Sequence, residues 1–149
     1  MIHDAPQHDT ARILVIDDHA PNVELVEEIL KTEGYRHVTG VTSAASLPAL
    51  HAQHDPDLII LDLWMPGFDG FAALEQLHRR LPEGTYLPVL VLTADATPET
   101  RRRALALGAR DFLTKPFDVF ELLIRVANLL EARSLYLKVQ QARTGEPLP

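Results

Sequence analysis

Three short runs in this chain, Ile13–Ile16, Leu58–Leu61 and Val89–Leu92, consist only of Ile, Leu and Val. Branched apolar residues in unbroken series describe strands buried on both faces, and a sheet of such strands needs covering layers on both sides. Longer stretches of helical period separate the runs, so the pattern is a βα unit repeated around a parallel sheet. Five units can be counted. The first strand, Arg12 to Asp17, precedes a helix from near Pro21 to Gly34, with Pro at a first helical position and Gly just past the end. The second strand lies near His37 to Thr42, and Pro48 fits only a first turn or a kink of the helix behind it. The third strand leads, through breaks at Pro66-Gly67 and Asp69-Gly70, to a helix over about Gly70 to Leu81 capped by Asp69. The fourth strand is Leu87 to Thr93, its helix capped by Thr97 and ending at Gly108, and the fifth is Asp111 to Lys115, with a helix from near Asp118.

In open parallel sheets, ligands sit outside the carboxyl ends of the strands. That edge carries Asp17 and Asp18 after the first strand, Asp62 after the third, Thr93 after the fourth and Lys115 after the fifth. Carboxylates crowded together repel by about 4 kcal/mol per pair at 4 Å and an effective dielectric near 20, more than one lysine offsets. All-oxygen ligands in an open cleft suit Mg²⁺, which takes one or two carboxylates, several waters and a phosphate. Each residue alone has an ordinary reading: Asp17-Asp18 as a loop or helix cap, Asp62 as a turn former, Thr93 as a weak cap, Lys115 as a surface lysine. Five such accidents at one edge of one sheet is the weaker account. His19 follows the acid pair and reads as an exposed spectator; the histidines at 3, 8, 37, 51, 54 and 78 show no metal-ligand spacing.

The segments VIDD, LDLWMPGFDG, VLTAD and FLTKPF stand in order after these strands. With them the chain resembles, over about residues 11–131, the receiver domain of bacterial two-component response regulators, of the chemotaxis-regulator kind. The resemblance implies an α/β fold, a doubly wound five-stranded parallel sheet of order 2-1-3-4-5, flavodoxin-like. It further implies that Asp62 accepts phosphate from a sensor histidine kinase or phosphotransfer protein. Asp17, Asp18, Asp62 and the backbone carbonyl of Trp64 would hold Mg²⁺; Thr93 and Lys115 would bind phosphoryl oxygens; Thr93 and Phe112 would switch. A cis peptide is implied at Pro116, and signalling through the face of the fourth helix, fifth strand and fifth helix. Such a chain is a phosphoacceptor that assists its own phosphorylation and dephosphorylation rather than an enzyme. Trp64, two residues after Asp62, and Asp95, two after Thr93, occupy positions that vary in the family; we expect the indole either to shield the acyl phosphate from water or to pack on the surface or a partner.

With 149 residues and 46% hydrophobic composition, one compact domain is expected: a flexible tail over 1–10, the receiver over 11–131, and a helical extension or linker with a coil tail over 132–149. A net charge of −7 argues against direct nucleic-acid binding, and Arg101-Arg102-Arg103 reads as a solvated helix face. There is no cysteine, no secretory signal and no apolar run of membrane-spanning length, so a soluble cytoplasmic protein is expected. From Asp118 the helical pattern runs on for some 25 residues, about 38 Å, with an interrupted seven-residue apolar spacing. The helix either frays after about Glu131, pairs with a second copy, or leads to an output domain. Two rivals remain. A haloacid-dehalogenase-type phosphatase would place an Asp-x-Asp pattern after the first strand, whereas Asp17-Asp18 are adjacent; a phosphorylation-independent pseudo-receiver predicts loss of an edge residue, and none is lost.

Overall fold

The computed structural model describes residues 5–43, 46–95 and 97–145. Strand β1 (Arg12–Ile16) is followed by helix α1 (Ala20–Glu33), β2 (His37–Val41), α2 (Leu47–His54) and β3 (Leu58–Leu61). Two short strands, β4 (Trp64–Met65) and β5 (Phe68–Asp69), precede α3 (Gly70–Arg80), β6 (Val89–Thr93), α4 (Pro98–Ala106), β7 (Asp111–Thr114) and α5 (Val119–Thr144). The main sheet is all parallel in the order β2-β1-β3-β6-β7, which is 2-1-3-4-5 when its own strands are counted.

Side chains alternate across this sheet, and both faces are covered. Ile13, Val15, Leu58, Ile60, Leu90, Leu92 and Leu113 join a core with Val26 and Leu30 of α1 and Leu122, Val126 and Leu130 of α5. Leu14, Ile16, Ile59, Leu61, Val91 and Phe112 join a second core with Leu47, Phe71, Leu74, Leu77 and Ala104 of α2, α3 and α4. That division is why the strand sequences are apolar without alternation. Burying each such Leu or Ile contributes about 1.5–3 kcal/mol, so the sheet edge is anchored by its own strands.

Local chemistry sets the boundaries. Ser46, Asp69, Thr97 and Asp118 cap α2, α3, α4 and α5 with side-chain oxygens that accept backbone N–H bonds, and Pro48 stands in the first turn of α2. β6 begins two residues later than the apolar run suggests, because Pro88 has no N–H to give the ladder; its carbonyl still accepts from Ile59 N at 3.1 Å. α4 ends at Ala106, ahead of Gly108, whose φ of 116° lies in the left-handed region. The antiparallel pair β4–β5 was not expected: Pro66 and Gly67, φ 68°, turn the chain so that Met65 pairs with Phe68. α5 runs unbroken past Glu131. Of the expected N-terminal tail, residues 7–10 form a turn, with Arg36 N donating to Asp9 O at 2.9 Å and His8 Nε2 lying 2.7 Å from Glu131 Oε2. Residues 1–4 and most of the expected coil tail, 146–149, lie outside the described residues.

Candidate functional site

β1 and β3 are neighbours in the sheet and end in register at Ile16 and Leu61, so Asp17 and Asp62 leave the same edge side by side. Each is fixed by its own backbone: Asp17 N donates to Val41 O at 3.2 Å and Asp62 N to Ile16 O at 3.0 Å. Asp17 is 5% exposed, Asp62 9%, and Asp18 stands open to solvent. One carboxylate oxygen from each of the three lies within 4.8 Å of the others, an arrangement able to hold a metal ion. The acids that sequence reasoning collected from separate strands thus form one cluster.

Lys115 enters from the end of β7, where its N–H bonds to Thr93 O at 2.8 Å and its peptide bond to Pro116 is cis. Its Nζ donates to Asp17 Oδ2 at 2.5 Å and to Asp62 Oδ2 at 3.1 Å. Burial works against the Lys115 ammonium, but hydrogen bonds and charge from Asp17 and Asp62 outweigh it and hold the pKa above the ordinary 10.5. The cation therefore remains charged throughout the neutral range. The remaining acceptor capacity of the acids is partly used locally: Asp17 Oδ1 accepts from His19 N at 3.0 Å, Asp17 Oδ2 from Asn22 Nδ2 at 3.4 Å, and Asp62 Oδ1 from Trp64 N at 3.0 Å. Asn22, in the first turn of α1, escaped sequence reasoning; its only signal was its place five residues after Asp17.

Thr93 is completely buried at the end of β6, and its Oγ1 accepts from Asp95 N at 3.5 Å. Asp95 in turn accepts from Thr97 N at 2.9 Å and from Thr100 Oγ1 at 2.9 Å. The Thr97 backbone N–H, then the Thr97 and Thr100 side chains, and last the Trp64 indole keep the Asp95 carboxyl below the usual carboxylate range. Trp64 is 50% exposed and meets Phe71 edge to face at 5.7 Å. Phe112 is buried in the core on the α2–α3–α4 side, away from solvent. A cavity of about 430 Å³ opens beside the cluster, walled by Asp17, Asp62 and Lys115 at one end and by apolar residues of α1 and the start of α5 at the other. Chemically, the site offers three carboxylate groups close enough to share a divalent cation and one fixed ammonium, beside an open cavity.

Comparison with known proteins agrees with this geometry. The family model of the response regulator receiver domain matches residues 13–127. The response regulator PleD of Caulobacter vibrioides is 39% identical over 132 residues, covering 89% of this chain and 29% of PleD. The DNA-binding dual master transcriptional regulator RpaA of a Synechocystis strain is 43% identical over 119 residues, covering 80% of this chain and 48% of RpaA. The chain thus spans less than half the length of either relative. The crystallised chemotaxis protein CheY4 of Vibrio cholerae superimposes with a TM-score of 0.72 at 28% identity, covering 80% of this chain and 98% of CheY4.

Proposed function

Because this chain belongs to the response regulator receiver domain family, whose members are phosphorylation-activated signalling switches, we propose that Asp62 is its phosphoacceptor. The donor in this reading is the phosphohistidine of a sensor kinase or phosphotransfer protein. An Asp62 carboxylate oxygen forms a bond to phosphorus in line as the P–N bond of the donor breaks, the nitrogen keeping the electron pair; the work of the protein is positioning and charge stabilisation. The observation that carries the reading is the convergence of Asp17, Asp18 and Asp62 within 4.8 Å, with Lys115 bonded to two of them.

The donor set fits Mg²⁺: hard carboxylate oxygens, two of them nearly buried, one exposed, beside open space for water and phosphate. Asp17, Asp18, Asp62 and the carbonyl of Trp64 would hold it, and bound there it supplies positive charge against the phosphoryl oxygens. Lys115 contributes a second cation, aimed by its contacts with Asp17 and Asp62. The Thr93 hydroxyl, now the acceptor of a long bond from Asp95 N, turns to donate to a phosphoryl oxygen, and Phe112 moves with the space it vacates. For that switch to shift from 1:99 to 99:1, phosphate must favour one conformer by about 5.5 kcal/mol.

The output face in this reading is α4, β7 and α5, where Phe120 and Ile124 are exposed. It is the surface for a partner, an output domain, or a second copy. Residues 11–131 act as the receiver and 132–149 as its extension, in the cytoplasm; among the described residues, no helix is long and apolar enough to cross a membrane. The test is incubation with Mg²⁺ and a small acyl-phosphate donor, followed by intact mass. One phosphoryl group added to wild type and none to Asp62→Asn is expected. Phosphorylation of the variant overturns the assignment, and turnover of a phosphomonoester in place of the acyl phosphate favours the phosphatase alternative.

A further inference from the structure

Helix α5 makes its core contacts with Leu122, Val126, Leu129 and Leu130, and none of its later described residues is buried. The remaining stretch, 131–144, gains no order from core burial, so as the end of a helix it frays unless other contacts hold it. Its order needs another source. Arg133, Tyr136 and Gln140, three and four residues apart, share one side of the helix and meet the body at the amino-terminal end of the sheet, opposite the acidic cluster. Arg133 Nε lies 3.2 Å from Asp57 Oδ1, with both side chains about one-fifth exposed, and its Nη1 donates to Tyr86 O. Tyr136 OH donates to Gly84 O, its ring lies 5.4 Å from that of Tyr86, and Gln140 Nε2 donates to its hydroxyl at 2.8 Å. The Arg110 guanidinium, just ahead of β7, stacks on the other ring of this pair, 4.6 Å from the Tyr86 centroid.

We propose that Asp57 and the Gly84–Tyr86 loop form a seat for residues 131–144, making the end of α5 a rigid arm rather than a fraying terminus. Arg133 and Tyr136 are the residues that hold it. Held there, residues 131–144 move with the body of the domain rather than independently of it. What the arm transmits rests on the receiver reading above; that it is seated does not.

The chain has no cysteine, so a pair of labelled positions can be introduced cleanly at the exposed residues Gln76 and Ala142. Electron-electron distance measurement on the full chain, diluted with unlabelled protein, is expected to give one narrow distribution in wild type. With Arg133→Ala and Tyr136→Ala together the distribution broadens, and amide exchange over residues 137–144 speeds by about tenfold or more while residues 119–130 keep their protection. Both substitutions raise intrinsic helix propensity, so a loss of order can come only from the lost seat. A narrow distribution in the double variant, or a broad one already in wild type, overturns the proposal. Should the double variant fail to fold, Tyr136→Ala alone is read by the same two outcomes. Acyl-phosphate labelling of Asp62 on the same samples keeps the two readings separate: its absence in wild type sinks the receiver assignment and leaves the seat standing.

Discussion

Asp18 gives the sharpest test of whether the edge acids repel one another while waiting for a cation. Its side chain is exposed and engages in no hydrogen bond or ion pair among the described residues, yet its carboxylate lies within 4.8 Å of those of Asp17 and Asp62. At that separation each like-charge pair costs about 0.9 kcal/mol in bulk water and about 3.5 kcal/mol at an effective dielectric of 20. Because Asp18 faces solvent, the lower figure governs, and with the Lys115 ammonium on Asp17 and Asp62 offsetting one of its two pairs, about 1 kcal/mol of net repulsion is left. Asp18→Asn keeps the shape, removes both repulsions and breaks no observed contact. We therefore expect the metal-free variant to melt about 2–4 °C above wild type, using about 2–4 °C per kcal/mol for a chain of this size. Millimolar Mg²⁺ should then raise the melting temperature of wild type by mass action and leave the variant nearly unmoved. Thermal unfolding of both proteins in chelator and in Mg²⁺ gives the four numbers needed. If the variant melts no higher than wild type in chelator, or Mg²⁺ lifts both equally, the acids are not in electrostatic conflict and the metal assignment fails with it.

Gly70 opens α3 beneath the loop that follows Asp62, and a Cβ there would lie 2.7 Å from Leu63 Cα and 2.8 Å from Leu63 O; Gly70→Ala should cost about 1–3 kcal/mol and weaken Mg²⁺ binding, since Leu63 joins Asp62 to Trp64. Mg²⁺ affinity equal to wild type in Gly70→Ala would contradict the argument. Burial, aided by the charge of Glu33, pushes the Tyr35 hydroxyl from 10.0 up to about 12. A folded pKa above the unfolded one means that its contribution is complete below pH 10 and drains away as pH rises toward 12; unfolding free energies should fall over that window in wild type and less steeply in Tyr35→Phe, and identical slopes would count against it. Trp64, half exposed beside the site, is expected to exclude water from the acyl phosphate, so Trp64→Asn should shorten its half-life several-fold; equal decay rates rule this out.

Apolar runs without alternation already require a parallel sheet covered on both faces, and acids, a threonine and a lysine at the ends of those runs already mark one edge, because strand direction alone puts them there. Caps at Asp69, Thr97 and Asp118 are equally local, each an oxygen reaching N–H groups two or three residues on. Contacts between distant segments are of another kind. Lys115 reaches Asp17 across 98 residues and Arg133 reaches Asp57 across 76; no periodicity encodes such pairs, since they depend on which strands become neighbours and how far each helix overhangs the sheet. The seat of the arm belongs to that class, whereas the β4–β5 hairpin, turning at Pro66-Gly67, and the Asn22 contact five residues from Asp17 are local. Short-range patterning decided which residues stand at the edge, and tertiary packing decided how close together they stand, which sets the electrostatics of the site.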